Sequence, residues 1–229
     1  MTILAIDTTT QWCSVALFSS KERFIFRHEQ VGSGASLVVL KWLEELLAQA
    51  QLSWSHIDAI TVSQGPGAFT GIRLGIGIAQ GLALAQTKPL IPIPSLDGMM
   101  AWEFFKHPET FHEDRVYVGL LDARMGELYT APYQIINQEL KRTQAISLQA
   151  LTTFHPEPHS HFFMHDPIKV LESVRTDATS CFYPSSPHAL GIALCALQQN
   201  TSEPFLVQDC QPLYIRDHVA LTTLERASK

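Results

Sequence analysis

The chain has 229 residues, of which 46% are hydrophobic and only 17% are charged, against roughly 25% charged in an average soluble domain. This size and composition suit one large or two small globular domains with a sizeable core, and they exclude an intrinsically disordered chain. The net charge of -6 argues against a protein that binds nucleic acid strongly by itself, because phosphate binding depends on clustered Lys and Arg.

Cysteine spacing and hydropathy predict the compartment. The four cysteines show no C-x-x-C spacing, so neither a disulfide framework nor a zinc knuckle is indicated. The N-terminus lacks a basic segment and reaches an acid at Asp7, which is unlike a signal peptide. The longest uncharged apolar stretch, residues 74–87, is too short and too rich in glycine to span a membrane. We therefore expect a cytoplasmic protein that contacts no membrane.

The chain opens with three short apolar runs, residues 2–6, 12–18 and 24–28, which polar turns separate. Their length and their content of Ile, Val, Phe and Trp predict an antiparallel meander of three strands. A helix follows over residues 35–50, with an apolar arc of roughly 200°, whereas a helix that covers one core needs only about 100°. The extra apolar width indicates a second buried contact, either with a partner chain or with another layer of the same fold.

A second strand–helix pair surrounds a glycine-rich loop. A strand over residues 57–63 runs into Gly65-Pro66-Gly67, and a helix is predicted over residues 71–86 with Thr70 as its N-cap. That helix contains several glycines and alanines, and interior glycines cost about 1 kcal/mol each relative to alanine. We expect a close approach by a neighbouring helix or strand to offset this cost. A strand over 89–94 and a helix over 96–105 complete this half.

The second half repeats the opening design. Residues 116–122 form a predicted strand that ends in Asp122, and a polar turn leads into a second strand over 127–135. This hairpin resembles the one around Asp7, which indicates a duplicated unit. A helix is predicted near residues 187–198. The element order predicts an α/β fold with mixed sheets flanked by helices, arranged as two side-by-side units of the actin and sugar-kinase type.

Two loops have the composition of phosphate-binding turns. Asp7, Thr8 and Thr9 follow the first strand, where hydroxyl and backbone N–H groups can hold phosphate and a carboxylate can hold a metal or water. Gly65, Gly67 and Thr70 precede a helix N-terminus, which is a favourable place for an anion. The alternative is that both loops are tight turns whose polar groups satisfy the local backbone.

Other chemistry finds little support in the sequence. The loop over residues 154–167 is rich in His and Pro, but the prolines prevent the helical presentation that H-x-x-x-H metal ligation uses, so we expect a solvated surface loop. The chain contains no G-x-S-x-G elbow, no H-E-x-x-H and no Walker loop. We predict no catalytic residue, no metal and no cofactor of its own.

Four segments together resemble the TsaB (YeaZ) family. They are M-T-I-L-A-I-D-T-T-T at 1–10, G-P-G-A-F-T-G-I-R at 65–73, D-A-R-M-G-E-L-Y at 122–129 and P-L-Y-I-R at 212–216. The resemblance implies an actin-like fold of two ribonuclease-H-like subdomains, which we place at residues 1–108 and 109–229, with the last segment packing back on the first subdomain.

The resemblance also implies a function. Members of the family act with the paralogue TsaD and the ATPase TsaE, which transfer threonylcarbamoyl from threonylcarbamoyl-AMP to the adenosine beside the anticodon of tRNAs that read A-starting codons. The resemblance implies that this chain is a non-catalytic scaffold that reaches tRNA only through the complex. It also implies that the chain pairs with TsaD through its N-terminal helices and forms homodimers in isolation. The interface residues expected on the two helices are Leu37, Leu40, Leu43, Leu47, Arg73, Ile76, Gly77, Gln80 and Leu84.

The family's catalytic member holds its metal through H-[LM]-E-[GA]-H, and the corresponding segment here is Ser95-Leu96-Asp97-Gly98-Met99. Ser95 and Met99 replace the two histidines, and neither is a good ligand for zinc or iron in such a site. Two alternatives stay open, both of them enzymes. The first is an actin-like nucleotide hydrolase or phosphotransferase that uses the two phosphate-type loops, and the second is a metallopeptidase.

Overall fold

The protein is described from a computed structural model, which covers residues 1–165, 179–199 and 206–216. Its first sheet has five strands in the order β3-β2-β1-β4-β5. These strands are β1 Ile3–Asp7, β2 Trp12–Ser20, β3 Arg23–Gln30, β4 Ala59–Ser63 and β5 Leu90–Ile93. The first three form the predicted antiparallel meander, and β4 and β5 add to β1 in parallel.

The second sheet repeats this plan with the order β11-β10-β6-β7-β8, and β9 also pairs with β7. Its strands are β6 Tyr117–Arg124, β7 Glu127–Ile136, β8 Glu139–Arg142, β9 Ser147–Ala150, β10 His161–Met164 and β11 Cys181–Pro184. Strands β6, β7 and β8 form an antiparallel meander, and β10 and β11 continue in parallel from β6. Read from its other edge, as β8-β7-β6-β10-β11, the second sheet has the same strand order and the same strand directions as the first. The predicted actin-like fold with two ribonuclease-H-like units is confirmed.

Among the described residues, four α-helices cover the first sheet and the junction with the second. They are α1 Ala35–Gln49, α2 Phe69–Gln86, α3 Ser95–Lys106 and α4 Ala189–Gln198. Helices α1 and α2 share one core with the face of the sheet that Leu4, Ile6 and Val62 form. Helix α4 covers the opposite face of the sheet, where it packs with Ile3 and Ala5 of β1.

Helix α3 lies between the two halves of the molecule. Its Leu96, Met99 and Met100 pack with Tyr117 and Phe163 of the second sheet. The first sheet ends along the chain at Ile93 and the second begins at Tyr117, while α3 and α4 each pack on the sheet of the other half; the boundary between residues 108 and 109 stays a prediction.

Two helices cross closely enough to explain paired glycines. A Cβ on Gly191 of α4 would lie 1.8 Å from the Gly98 carbonyl oxygen of α3, and a Cβ on Gly98 would lie 2.3 Å from the Ile192 side chain. Only residues without a side chain allow this crossing, so the close approach offsets the helical cost of both glycines.

Four aromatic rings stack in a column that joins β2, β3, α3 and α4. Trp12 stacks on His28 at 4.6 Å, His28 on His188 at 4.6 Å, and His188 on Trp102 at 4.3 Å. Burial, followed by the neighbouring His28 and Lys106 charges, lowers the pKa of His188 to about 2. Its Nδ1 accepts the Leu190 N–H and caps α4, which requires the neutral imidazole.

Two local predictions were wrong. Thr70 is not the N-cap of α2, because the helix begins at Phe69 after Ala68, whose N–H donates to the Thr9 carbonyl. The segment around the four histidines is not all surface loop, because His161 opens the buried strand β10. Its ring is accommodated as a neutral acceptor, since burial lowers its pKa and Arg115 donates to Nε2 at 3.0 Å.

Candidate functional site

The two loops with phosphate-binding composition lie against each other at the ends of β1 and β4. The Thr8 hydroxyl donates to the Gly71 carbonyl at 2.7 Å, and the Ala68 N–H donates to the Thr9 carbonyl at 2.6 Å. The structure thus brings Thr8 and Thr9 next to Gly71 and Gly67, while the atoms nearest to a Cβ on Gly65 belong to Ile72 and Leu213. Thr70 is exposed within the first turn of α2.

The glycines of this loop allow a close approach of the neighbouring backbone. A Cβ at Gly67 would lie 2.3 Å from the Thr9 carbonyl oxygen, and a Cβ at Gly71 would lie 2.0 Å from the Thr8 carbonyl oxygen. Both contacts are far inside van der Waals distance. The space directly beside Gly67 and Gly71 is filled by Thr8 and Thr9, each nearly fully buried, while Thr9 and Gly67 also line an open cavity.

The Asp7 carboxylate forms hydrogen bonds within its own turn. One carboxylate oxygen accepts the Thr9 N–H at 2.9 Å and the Thr9 hydroxyl at 2.8 Å. Burial raises the pKa of the Asp7 carboxyl, and the hydrogen bonds from Thr9 oppose that shift. The Thr9 N–H and hydroxyl, two donors that a nucleotide phosphate could use, therefore bind one oxygen of Asp7, while its other oxygen is buried without a hydrogen-bond partner among the described residues.

A cleft separates the two loops of the first subdomain from the β6–β7 hairpin of the second. Its cavity measures about 270 Å³, and polar groups from Thr10, Gln11, Asp122 and His165 line it together with aliphatic side chains. Asp122 is exposed and pairs with Arg124 on the same hairpin. The cleft thus lies where an actin-like fold brings its two hairpins face to face.

The positions that correspond to metal-binding histidines in the family's catalytic member are buried and already occupied. The Ser95 hydroxyl shares a hydrogen bond of 2.8 Å with the Ser63 hydroxyl. Met99 is fully buried among the apolar side chains between α3 and the second sheet. A bonded hydroxyl and a thioether in an apolar core do not fit a zinc or iron site.

The predicted interface residues of α1 divide into two groups. Leu43 and Leu47 face the sheet and belong to the core. Leu37 and Leu40 point outward, with 82% and 51% of their surface exposed. The apolar arc of α1 therefore covers the core on one side and leaves two leucines on the surface.

Helix α2 adds a neighbouring surface. Leu84 is 69% exposed, and Gly77 and Gly81 have no described heavy atom within 4 Å of the place where a Cβ would stand. Ile76 is buried in the core, and Gln80 donates to the carbonyls of the chain's own residues 207 and 210. The exposed face of α2 has few projecting side chains and is partly apolar, which suits a close approach by another helix.

Arg73 is the one predicted interface residue that is held by aromatic rings. Its guanidinium carbon lies 3.7 Å from the centre of the Phe69 ring, and its Nε donates to the Tyr214 hydroxyl at 3.0 Å. Sequence reasoning selected Arg73 but missed Tyr214 as its partner. Tyr214 lies 141 residues from Arg73 in the chain, and nothing local to the motif at 212–216 indicates that it contacts α2.

Comparison with known proteins gives this actin-like, two-subdomain scaffold a family. The family model described as "TsaD: tRNA N6-adenosine threonylcarbamoyltransferase" matches residues 33–172, more than half of the chain. The chain is similar to the tRNA threonylcarbamoyladenosine biosynthesis protein TsaB of Haemophilus influenzae, with 36% identity over 62% of this chain and 56% of that protein. The Escherichia coli protein of that name is 41% identical over 58% of this chain and 55% of its own length.

A solved structure extends the likeness over the whole fold. YeaZ from Pseudomonas aeruginosa superposes with a TM-score of 0.80 at 27% identity, covering 93% of this chain and 99% of that one. The chain therefore belongs to the tRNA N6-adenosine threonylcarbamoyltransferase family, among its TsaB/YeaZ members. In sequence, the match spans about half the length of the curated relatives.

None of the described helices is long and apolar enough to cross a membrane.

Proposed function

We propose that this chain is a non-catalytic, activating subunit for the transfer of threonylcarbamoyl from threonylcarbamoyl-AMP to the adenosine beside the anticodon in tRNAs that read A-starting codons. Its partners in this proposal are TsaD, which carries the chemistry, and TsaE. Family membership and the names of the relatives support the pathway. This role would place the chain in the cytoplasm.

One observation carries the non-catalytic part of the proposal. The Ser95 hydroxyl, at a position where the family's catalytic member has a metal-binding histidine, is buried and bonded to Ser63, and Met99 at the second such position is fully buried. The alternative of an actin-like nucleotide hydrolase needs phosphate donors in these loops, and two of the candidates, the Thr9 N–H and the Ala68 N–H, are used within the chain.

The exposed helical surface supports the mode of association. We propose that TsaD binds across α1 and α2, where Leu37 and Leu40 are exposed on α1 and Leu84, Gly77 and Gly81 lie on the open face of α2. Apolar residues on neighbouring helices, separated by glycine, permit close helix packing. In isolation the same surface would form a homodimer, and contact with tRNA would come only through the complex.

The test is reconstituted threonylcarbamoyl transfer to tRNA with TsaD, TsaE and the adenylate-forming enzyme, with this chain present or omitted. The proposal expects modification only when both this chain and TsaD are present. Full modification without this chain would refute the activating role, and modification by this chain without TsaD would refute the non-catalytic role.

A further inference from the structure

Three segments that stand out in the sequence meet at one place in the structure. They are the loop and helix start at 65–73, the hairpin at 122–129 and the segment at 212–216, which we call the strap. The strap lies against both of the others. The proposed function assigns no role to the contacts of the strap with these two segments.

The first anchor of the strap is on the first subdomain. The Leu213 N–H donates to the Gln64 carbonyl at 2.7 Å, directly after β4 ends. A Cβ at Gly65 would lie 3.4 Å from the Leu213 carbonyl oxygen, so the strap passes in contact with the glycine loop. Gly65 has a φ of +100°, which a residue with a side chain rarely adopts.

The second anchor is on α2. The Tyr214 ring stacks with Phe69 at 6.1 Å between centroids, and the Tyr214 hydroxyl accepts from Arg73 at 3.0 Å. Further along the helix, Gln80 donates to the Val207 and Cys210 carbonyls at 3.0 and 3.1 Å. Together these contacts fix residues 207–214 along α2.

The third anchor is on the second subdomain. Arg216 donates from Nη2 to the Ala123 carbonyl at 3.1 Å and forms an ion pair with Glu127. Its Nη1 also approaches the Met125 sulfur at 3.3 Å. Only 14% of the Arg216 side chain is exposed, so water screens this ion pair less than it screens a surface pair.

The short length of the strap limits how far the two subdomains can move apart. An extended chain advances at most about 3.3–3.6 Å per residue, so Leu213 and Arg216 are separated by roughly 10 Å of backbone at most. Their anchors belong to different subdomains. Once residues 213–216 are fully extended, any further widening of the cleft would break the Leu213 bond, the Tyr214 stack or the Arg216 ion pair.

We propose that the strap fixes the two subdomains relative to each other and thereby sets the width of the cleft between them. In the same position it holds Arg73 against Phe69 on the surface of α2. This inference concerns the isolated chain and does not depend on the proposed function. The competing explanation is that the strap only covers apolar surface on α2, in which case Arg216 and Glu127 would be dispensable.

The test measures a distance across the cleft in the full-length chain. Spin labels on Ser36→Cys and Thr152→Cys, both exposed positions and one in each subdomain, would report the distance, with Cys181→Ser removing an exposed thiol. Arg216→Gln is the test variant. Arg124→Gln is the matched control. Arg124 lies on the β6–β7 hairpin that also carries Glu127, but it is exposed and pairs only with Asp122 among the described residues.

The proposal expects Arg216→Gln to broaden the distance distribution towards longer values, while Arg124→Gln leaves it unchanged. Glu127→Gln should reproduce the effect, and it also serves if Arg216→Gln does not fold. The double variant Arg216→Gln/Glu127→Gln should add little to either change, because both remove the same ion pair.

Amide exchange provides a second readout. Residues 122–127 should lose protection about tenfold or more in Arg216→Gln, since the hairpin loses its contact with the strap. An unchanged distance distribution together with unchanged exchange in both Arg216→Gln and Glu127→Gln would overturn the proposal. Independent, additive effects of the two substitutions would also overturn it.

Discussion

Replacing Leu37 by alanine should weaken association of the chain with TsaD without destabilising its fold. Covering a fully exposed leucine side chain is worth about 1.5–3 kcal/mol. Leu37 is 82% exposed, so about 1.2–2.5 kcal/mol is available from a partner that covers it. Alanine keeps part of this surface, so we expect a loss of about 1–2 kcal/mol, which corresponds to roughly a 5- to 30-fold weaker Kd.

The assay is titration calorimetry or surface plasmon resonance with purified TsaD, accompanied by thermal unfolding of the free chain. The unfolding free energy of Leu37→Ala should change by no more than about 0.5 kcal/mol, because the side chain packs little in the free chain. Leu43→Ala is the contrasting variant on the same helix. Leu43 is fully buried, so its truncation should cost about 2–5 kcal/mol of folding stability.

Gln49→Ala, an exposed polar position near the end of α1, controls for nonspecific effects. The reasoning would be refuted if Leu37→Ala bound TsaD as tightly as the wild type. It would also be refuted if Leu37→Ala lowered the Tm as much as Leu43→Ala, because Leu37 would then be a core residue.

Three further outcomes follow from the core. His188 stays neutral in the folded chain with a pKa of about 2, against 6.5 when unfolded, so the unfolding free energy should fall by about 1.4 kcal/mol per pH unit as pH drops below 6.5. Denaturant titrations at several pH values should show a flatter acid limb for His188→Asn, which keeps a capping side chain. Gly191→Ala should lower the Tm by several degrees or prevent folding, because its Cβ would collide with the Gly98 carbonyl, and unchanged calorimetric unfolding would contradict this. Iodoacetamide should label exposed Cys181 in the native chain well before Cys195, whose thiol pKa burial raises, and mass spectrometry of the labelled peptides would detect the reverse order.

The sequence was informative where the signal is local. The meander at residues 2–28 and the helix at 35–50 are visible as short apolar runs and as a 3.6-residue period, and both lie where predicted. The periodicity of α1 also revealed an unusually wide apolar arc. It could not tell which edge of that arc faces the sheet, so buried Leu43 and exposed Leu40 were grouped together.

The loops and the strap show the limit of such reasoning. The glycines at 67 and 71 have the composition of a phosphate loop, but their partner in space is the turn at Thr8 and Thr9, about 60 residues away in the chain. The contact between Arg216 and Glu127 likewise spans 89 residues, and nothing in either local segment encodes it. Motif composition alone therefore could not show that these two turns pack against each other.

The central claim is that this chain activates TsaD by binding it and takes no part in the chemistry. The most direct measurement titrates the wild-type chain and Leu37→Ala into a fixed amount of TsaD and TsaE, and records the initial rate of threonylcarbamoyl transfer to tRNA. The account predicts that both titrations rise from zero to the same plateau, with Leu37→Ala needing about 5 to 30 times more protein to reach half of it. A plateau that falls in the variant while half-saturation stays unchanged would contradict the account, as would a rate that does not depend on this chain at all.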